Sequence, residues 1–359
     1  MKKLNIAIIG QGRSGRDIHG KYYRSEKNVY YNVKYVVEAD AERRKRAEEE
    51  YPGCVALPCY QELFDKKDEI DLVVNASYSN MHYPIAKDLL EHGFNVLNEK
   101  PFAGTRLECD TLIKTAKEKG VNLYVFHNTL YAPYYKHAIE TVKSGVLGEI
   151  VQINVYHNGF ARRWDWQTLQ KRVAGNAYNT GPHPIGIALG LLDFDEATRI
   201  LYSDMKSTNL SSGDADDYCK VLLKAPNKPL VDLEINSTDP YCNGMIIKIQ
   251  ATNGGYKSGV NWFEYKYFVD EENPKKAVVE ESLKDENGYP IYCWEQLNWK
   301  EEKGEIVGDA FSVGTPSIYE EIYYNLTEGK PMSTSLEMAR KIVEIIEAAH
   351  AHNPLEMKF

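Results

Sequence analysis

The chain has 359 residues, 43% of them hydrophobic and 26% charged, which excludes a disordered or low-complexity chain and a single small core. A formal charge of -9 with a pI near 5.6 excludes the basic footprint of a nucleic-acid or anionic-membrane binder. The expected partner is a small molecule that is not strongly anionic, or another copy of the chain.

Six cysteines lie far apart without a CxxC pair, so neither a disulfide framework nor a zinc site is expected, and no metal. No run approaches the ~18–20 apolar residues of a membrane span. The opening MKKLNIAIIG imitates a secretory signal only until Gly10, and the expected location is the cytoplasm.

In chain order, Leu4 to Ile9 predicts a strand, followed by Gly10-Gln11-Gly12-Arg13-Ser14-Gly15 and a helix from Arg13 to about Arg24. That strand–turn–helix context is what a GxGxxG requires to signal dinucleotide binding. Gly10 permits the tight turn, Gly12 admits a pyrophosphate, and Gly15 lets helix pack on strand. N–H groups at the helix start, around Arg13 and Ser14, bind the phosphates. A second strand, Val33 to Ala39, ends at Asp40, an acid placed for the adenine ribose, which favours NAD over NADP. Arg43 and Arg44 just beyond could hold a 2′-phosphate or form the solvated face of the helix Ala41 to Tyr51.

Strands from Ile70 to Ala76, Asn95 to Asn98 and Asn122 to Phe126 alternate with helices from Tyr83 to His92 and Leu107 to Lys119, the spacing of parallel βαβ units. Ligands bind beyond the carboxyl ends of such strands. That places the loop Ser77 to His82, with Ser77, Asn80 and His82, and the tripeptide Glu99-Lys100-Pro101 at a cofactor site. Lys100 there is either a surface charge or a cation aimed at a reacting group.

These motifs, Glu99-Lys100-Pro101 above all, resemble the glucose-fructose oxidoreductase/inositol dehydrogenase/MocA family over nearly the whole chain. The resemblance implies an α/β fold: a Rossmann NAD-binding domain over residues 1–127, then an α+β domain over 128–359 with a large, mostly antiparallel open sheet. It implies that Lys100 is catalytic, that Glu99 and Pro101 hold its strand end, and that the open sheet face pairs subunits into a dimer or tetramer.

Residues His127 to Pro133, including Tyr131 as a candidate substrate contact, resemble the family's crossover, with Thr129 and Leu130 where arginines are common. Asn179-Thr180-Gly181-Pro182-His183 resembles the family's Asp-x-Gly-x-His element, with an amide in place of the carboxylate. His183 is then the acid/base and Asn179 its orienting partner or a contact to a substrate hydroxyl. Pro184 reads as the first residue of a helix to Leu192, whose dipole, with the amide, favours a neutral imidazole.

Arg163, Trp164, Asp165 and Trp166 precede this element and are expected to bind substrate, with Asp165 either a reserve carboxylate or paired to Arg162 or Arg163. Alternating strands such as Ile150 to His157, Lys220 to Leu223 and Met245 to Ala251 fit the expected sheet, and Ser335 to Ala351 reads as a core-facing helix.

The function so implied is NAD-dependent hydride transfer at a secondary hydroxyl of a sugar, polyol or glycoside. Lys100 stabilises the alkoxide and His183 carries the proton. Two alternatives stay open: a non-catalytic dinucleotide or sugar sensor, and glycoside cleavage through transient oxidation.

Overall fold

The computed structural model describes residues 2–359. Six short strands, β1 (Leu4–Ile9), β2 (Tyr31–Val37), β3 (Val55–Leu57), β4 (Leu72–Asn75), β5 (Val96–Asn98) and β6 (Leu123–Val125), form a parallel sheet in the order β3-β2-β1-β4-β5-β6. All four residues of β4 and five of the six in β1 are buried, as a sheet covered on both faces demands. The cover comes from helices including α1 (Gly20–Tyr23), α2 (Ala41–Glu50), α3 (His82–Glu91) and α4 (Arg106–Lys119). Strand order reverses between β1 and β4, so the ligand crevice lies at their carboxyl ends.

Two boundaries in this half show how structure and expectation differ. The helix after the glycine turn opens as a wide π-type segment, Arg13–His19, before α1. Strand β2 starts two residues early because Tyr31 is buried and its hydroxyl donates to the Tyr319 carbonyl at 2.6 Å.

The chain enters the second half through α5 (Pro133–Lys143). There β7 (Ile150–Asn158), β8 (Arg199–Lys206), β9 (Tyr218–Lys224), β10 (Leu230–Asn236), β11 (Ile247–Ala251), β12 (Gly254–Ser258), β13 (Trp262–Tyr267) and β14 (Lys300–Glu305) form an eight-stranded sheet ordered β14-β13-β12-β11-β7-β10-β9-β8. Only β7 and β10 pair in parallel. Strands β9 and β10 alternate buried with half-buried residues, so one face makes the core. On that face lie the one-turn α6 (Asn176–Asn179) and α7 (Pro182–Leu191), whose residues from Pro184 on are all buried.

The last two helices cross back. Helix α8 (Thr315–Glu328) puts Ile318, Tyr319, Ile322 and Tyr323 into the same core as Leu4, Ile6 and Ile8 of β1. Helix α9 (Leu336–His352) divides its apolar face, with Ala339 and Val343 on the first half and Ile342, Ile345 and Ile346 on the second. The chain leaves the nucleotide sheet after β6, but that sheet's core closes only with Ile318, Tyr319, Ile322 and Tyr323 of α8. Among the described residues no helix is long and apolar enough to cross a membrane, and no cluster of three or more His, Cys, Asp or Glu could hold a metal.

Candidate active site

The three glycines of the turn are not equivalent. A Cβ on Gly10, where φ is +93°, would lie 2.5 Å from the Ala76 carbonyl oxygen, and one on Gly15 would lie 1.9 Å from the carbonyl oxygen of Gly10. The chain's own packing therefore dictates both. A Cβ on Gly12 would meet nothing within 4 Å. What Gly12 leaves room for lies outside the chain, which is the fit expected of a diphosphate against exposed N–H groups. Nearby, the side-chain oxygens of Gln11 and Asn80 are buried without partners, two acceptors left for a ligand.

The acid at the end of β2 needs reassignment. Asp40 caps α2, its Oδ1 accepting the Arg43 N–H at 2.9 Å. Glu38 is the carboxylate that reaches the turn, Oε2 accepting the Gln11 N–H at 2.8 Å and Oε1 that of Asp40 at 3.1 Å. Arg44 is engaged locally, donating at 2.7 Å to the carbonyls of both Glu38 and Ala39. The Asx capping role of Asp40 competed with the ribose role, and the residue directly after the strand was the missed signal.

Lys100 follows β5, whose end is fixed from several sides. Asn98 accepts from Asn75 and donates to the Phe102 carbonyl, both at 2.8 Å. His82 Nδ1 donates to the Pro101 carbonyl at 2.7 Å and Nε2 lies 3.2 Å from that of Ser77, so His82 is buried scaffolding and not a ligand contact. Ser77 Oγ is likewise committed, donating to Asn75 at 2.7 Å. Glu99 is also internal: Oε2 accepts the Lys100 main-chain N–H at 2.9 Å and Oε1 sits 3.1 Å from His19 Nε2, while His19 Nδ1 meets the Tyr319 hydroxyl at 2.7 Å. Burial opposes the Glu99 charge, but His19 and then Lys100 hold its carboxyl down to about 2.

The Lys100 ammonium donates to the main-chain oxygen of Asn179 at 2.7 Å and forms no ion pair among the described residues. Its pKa is lowered, by burial first, against the pull of Glu99 and with the help of the Arg13 and Arg163 charges. His183 lies just beyond. Helix α7 begins at Pro182 and not Pro184, so His183 sits inside the first turn. The neighbour of its Nδ1 is the Thr129 hydroxyl at 2.6 Å, not Asn179. Its pKa is held well below the ordinary value by burial, then by Lys100, His127 and His157. Burial and the neighbouring Lys100, and not the expected amide and dipole, are thus what disfavour the charged imidazole.

Asn179 serves the lysine side instead. Its Nδ2 donates to the Gln167 carbonyl at 2.9 Å, and Gln167 Oε1 accepts from Arg163 at 2.6 Å. A continuous chain Lys100–Asn179–Gln167–Arg163 therefore roofs the cleft. Behind it Asp216, fully buried, accepts the Ala177 N–H at 2.8 Å and secures α6. The second Asp216 oxygen and His350 Nε2 are both unpartnered, 3.7 Å apart. Burial pushes the Asp216 carboxyl up to about 7 and His350 down to about 4. Sequence reasoning missed Gln167, the Thr129 contact and Asp216; the run Asp214 to Asp217 just before β9 was the available clue.

The remaining candidates divide. Asp165 pairs with neither arginine; it caps a short turn by accepting the Gln167 N–H at 2.9 Å. Trp166 packs edge-on against Tyr78, centroids 4.9 Å apart, and so closes the two halves over the cleft. Trp164 is 80% exposed. Tyr131 is buried and donates to Glu321 at 2.6 Å, which takes it out of the substrate wall. Arg13 stands exposed at the turn beside a cavity of about 530 Å³.

Comparison with known proteins agrees with this architecture. Curated relatives match over stretches that span 41 to 71% of their own lengths. One is the scyllo-inositol 2-dehydrogenase (NADP(+)) of Bacillus subtilis, 26% identical over 54% of this chain and 53% of that protein. Another is the 2,7-anhydro-N-acetylneuraminate hydratase of Mediterraneibacter gnavus, 23% identical over 72% of this chain and 67% of that protein. Among solved structures, that of GenD2 from gentamicin A biosynthesis in complex with NAD superposes with a TM-score of 0.74 at 20% identity, covering 98% of this chain and 94% of that one, which establishes the fold alone. Residues 4–127 match the profile described as an oxidoreductase family with an NAD-binding Rossmann fold, and residues 135–257 match the GFO/IDH/MocA C-terminal domain. On fold and on both halves of its sequence, the chain belongs to the GFO/IDH/MocA oxidoreductase family.

Proposed function

We propose that the protein transfers hydride between a secondary hydroxyl of a sugar-like substrate and NAD. The observation that carries this reading is the meeting of Lys100, unpaired and aimed at the Asn179 carbonyl, with a neutral His183 whose Nδ1 is held by Thr129. The glycine turn, Arg13 and Asn80 would hold the dinucleotide, with Glu38 in place of Asp40 on the adenine ribose. A carboxylate there repels a 2′-phosphate and favours NAD over NADP. When bound, the nicotinamide accepts or returns the hydride.

The chain's own residues handle charge and proton. With the hydrogen on Nδ1 shared with Thr129 Oγ1, His183 Nε2 is free to take the hydroxyl proton, and its lowered pKa keeps it unprotonated near neutral pH. The Lys100 ammonium, made more acidic by burial, gives a strong hydrogen bond to the oxygen as negative charge develops. A lysine without an ion pair and a histidine with Nε2 free also argue against the sensor reading, which needs neither.

The hydratase among the relatives favours a second reading, in which the same oxidation is transient and precedes bond cleavage or hydration. The experiment separates them: incubate the protein with NAD and a panel of hexoses, inositols and glycosides, following reduced nicotinamide and product masses. Net reduced nicotinamide supports dehydrogenation; a changed product without it supports transient oxidation. Lys100→Ala and His183→Ala should each lose about 100-fold or more in kcat while still binding NAD. Full turnover by either variant on a confirmed substrate overturns its role.

A further inference from the structure

The cleft carries more positive charge than the proposed reaction requires. Arg13 and Arg163 both act on Lys100 there, and none of these three cations has a carboxylate within ion-pair distance among the described residues. The sole acid acting on Lys100 is Glu99, whose two oxygens are already engaged by His19 and the Lys100 main-chain N–H. Asp165 turns its carboxylate to a main-chain N–H instead of to Arg163. The imidazoles of His127, His157 and His183 add no negative charge.

Arg13 stands at the glycine turn, where a diphosphate accounts for it. Arg163 has no such partner. One guanidinium nitrogen donates to Gln167 at 2.6 Å, and Gln167 is bonded through Asn179 to Lys100, so the arginine is fixed in the roof and not free in solvent. A planar guanidinium braced on one side presents its remaining N–H donors as a fork, the geometry that takes a carboxylate in two parallel hydrogen bonds. A single negative charge between Arg163 and Lys100 would also relieve their repulsion.

Resting on the proposed hydride transfer, we infer that the substrate is an acidic sugar whose carboxylate is read by Arg163 while its reacting hydroxyl lies on Lys100 and His183. Gln167 is then a positioning residue that orients the arginine.

The test uses D-glucuronate and D-galacturonate beside their methyl esters, which keep the shape and lose the charge. Affinities for the protein saturated with reduced NAD are measured by calorimetry, and kcat and KM are measured with NAD. The acid should bind about tenfold tighter than its ester. Arg163→Gln should erase that difference, raise KM for the acid, and leave ester affinity within about twofold. Equal binding of acid and ester, an equal loss for both in Arg163→Gln, or no binding of either acid overturns the inference. Oxidation of neutral sugars alone would overturn it while sparing the hydride-transfer reading. Arg163-dependent binding of the acids with no chemistry on any sugar would do the reverse.

Discussion

At the glycine turn the requirements on Gly10 and Gly15 are steric and local, forced by contacts within a few residues or with the adjoining strand end. The roof of the cleft, residues 162–183, has short turns in place of long elements and owes its shape to side chains that reach across the sequence. Gln167 holds Asn179, Thr129 holds His183, and Asp216 holds α6. A site made of backbone tolerates change poorly and supports one chemistry; a site made of side-chain bridges can be retuned one residue at a time. On the proposed function, that contrast predicts that cofactor binding depends on main-chain packing and substrate choice on side-chain bridges.

The glycines offer the sharpest way to break the comparison. Gly15→Ala forces the main chain apart and should cost on the order of 3 kcal/mol, roughly 4 °C in Tm for a chain of this length. Gly12→Ala should melt like the parent yet bind NAD about tenfold more weakly by calorimetry, since its Cβ meets only the ligand. If both variants melt alike, the distinction between packing and ligand glycines fails. On the roof side, Thr129→Val removes the oxygen at His183 Nδ1 and should lower kcat about tenfold, with NAD affinity unchanged. Glu38→Gln should weaken NAD binding several-fold and reduce discrimination against NADP, while Asp40→Asn, which keeps a capping oxygen, should change neither.

The smallest effect concerns Asp216. Its carboxyl is raised in the folded state, so between about pH 4 and 7 the native protein binds more protons than the unfolded chain and loses stability as pH rises. Asp216→Asn removes that slope and keeps an oxygen for Ala177. The variant's Tm relative to the parent should rise by roughly 5 °C between pH 5 and pH 8. A constant difference across that range would show that Asp216 is not buried as a neutral acid.

Legibility followed the same line. The nucleotide sheet was readable because apolar runs, glycines and an X-Pro tripeptide are local signals, and the family and both halves of its fold came with them. Asp40 was misread because an acid three residues past the strand end serves capping as readily as ribose binding. The partners of His183 and Asn179 were unreadable for a stronger reason: 54 residues separate Thr129 from His183, 12 separate Gln167 from Asn179, and 39 separate Ala177 from Asp216. No periodicity carries such pairings. Tyr131 was misplaced because burial against Glu321, 190 residues away, has no local sign.

The bridge from His19 to Tyr319 has a consequence for how the chain is made. Glu99 leans on His19, His19 leans on Tyr319, and the apolar face of β1 is covered by Ile318 and Ile322. At ~5–20 residues per second, a ribosome delivers Tyr323 roughly 10–40 s after Phe126. For that interval the apolar side of β1 that Ile318 and Ile322 come to cover stays open on the emerging nucleotide half.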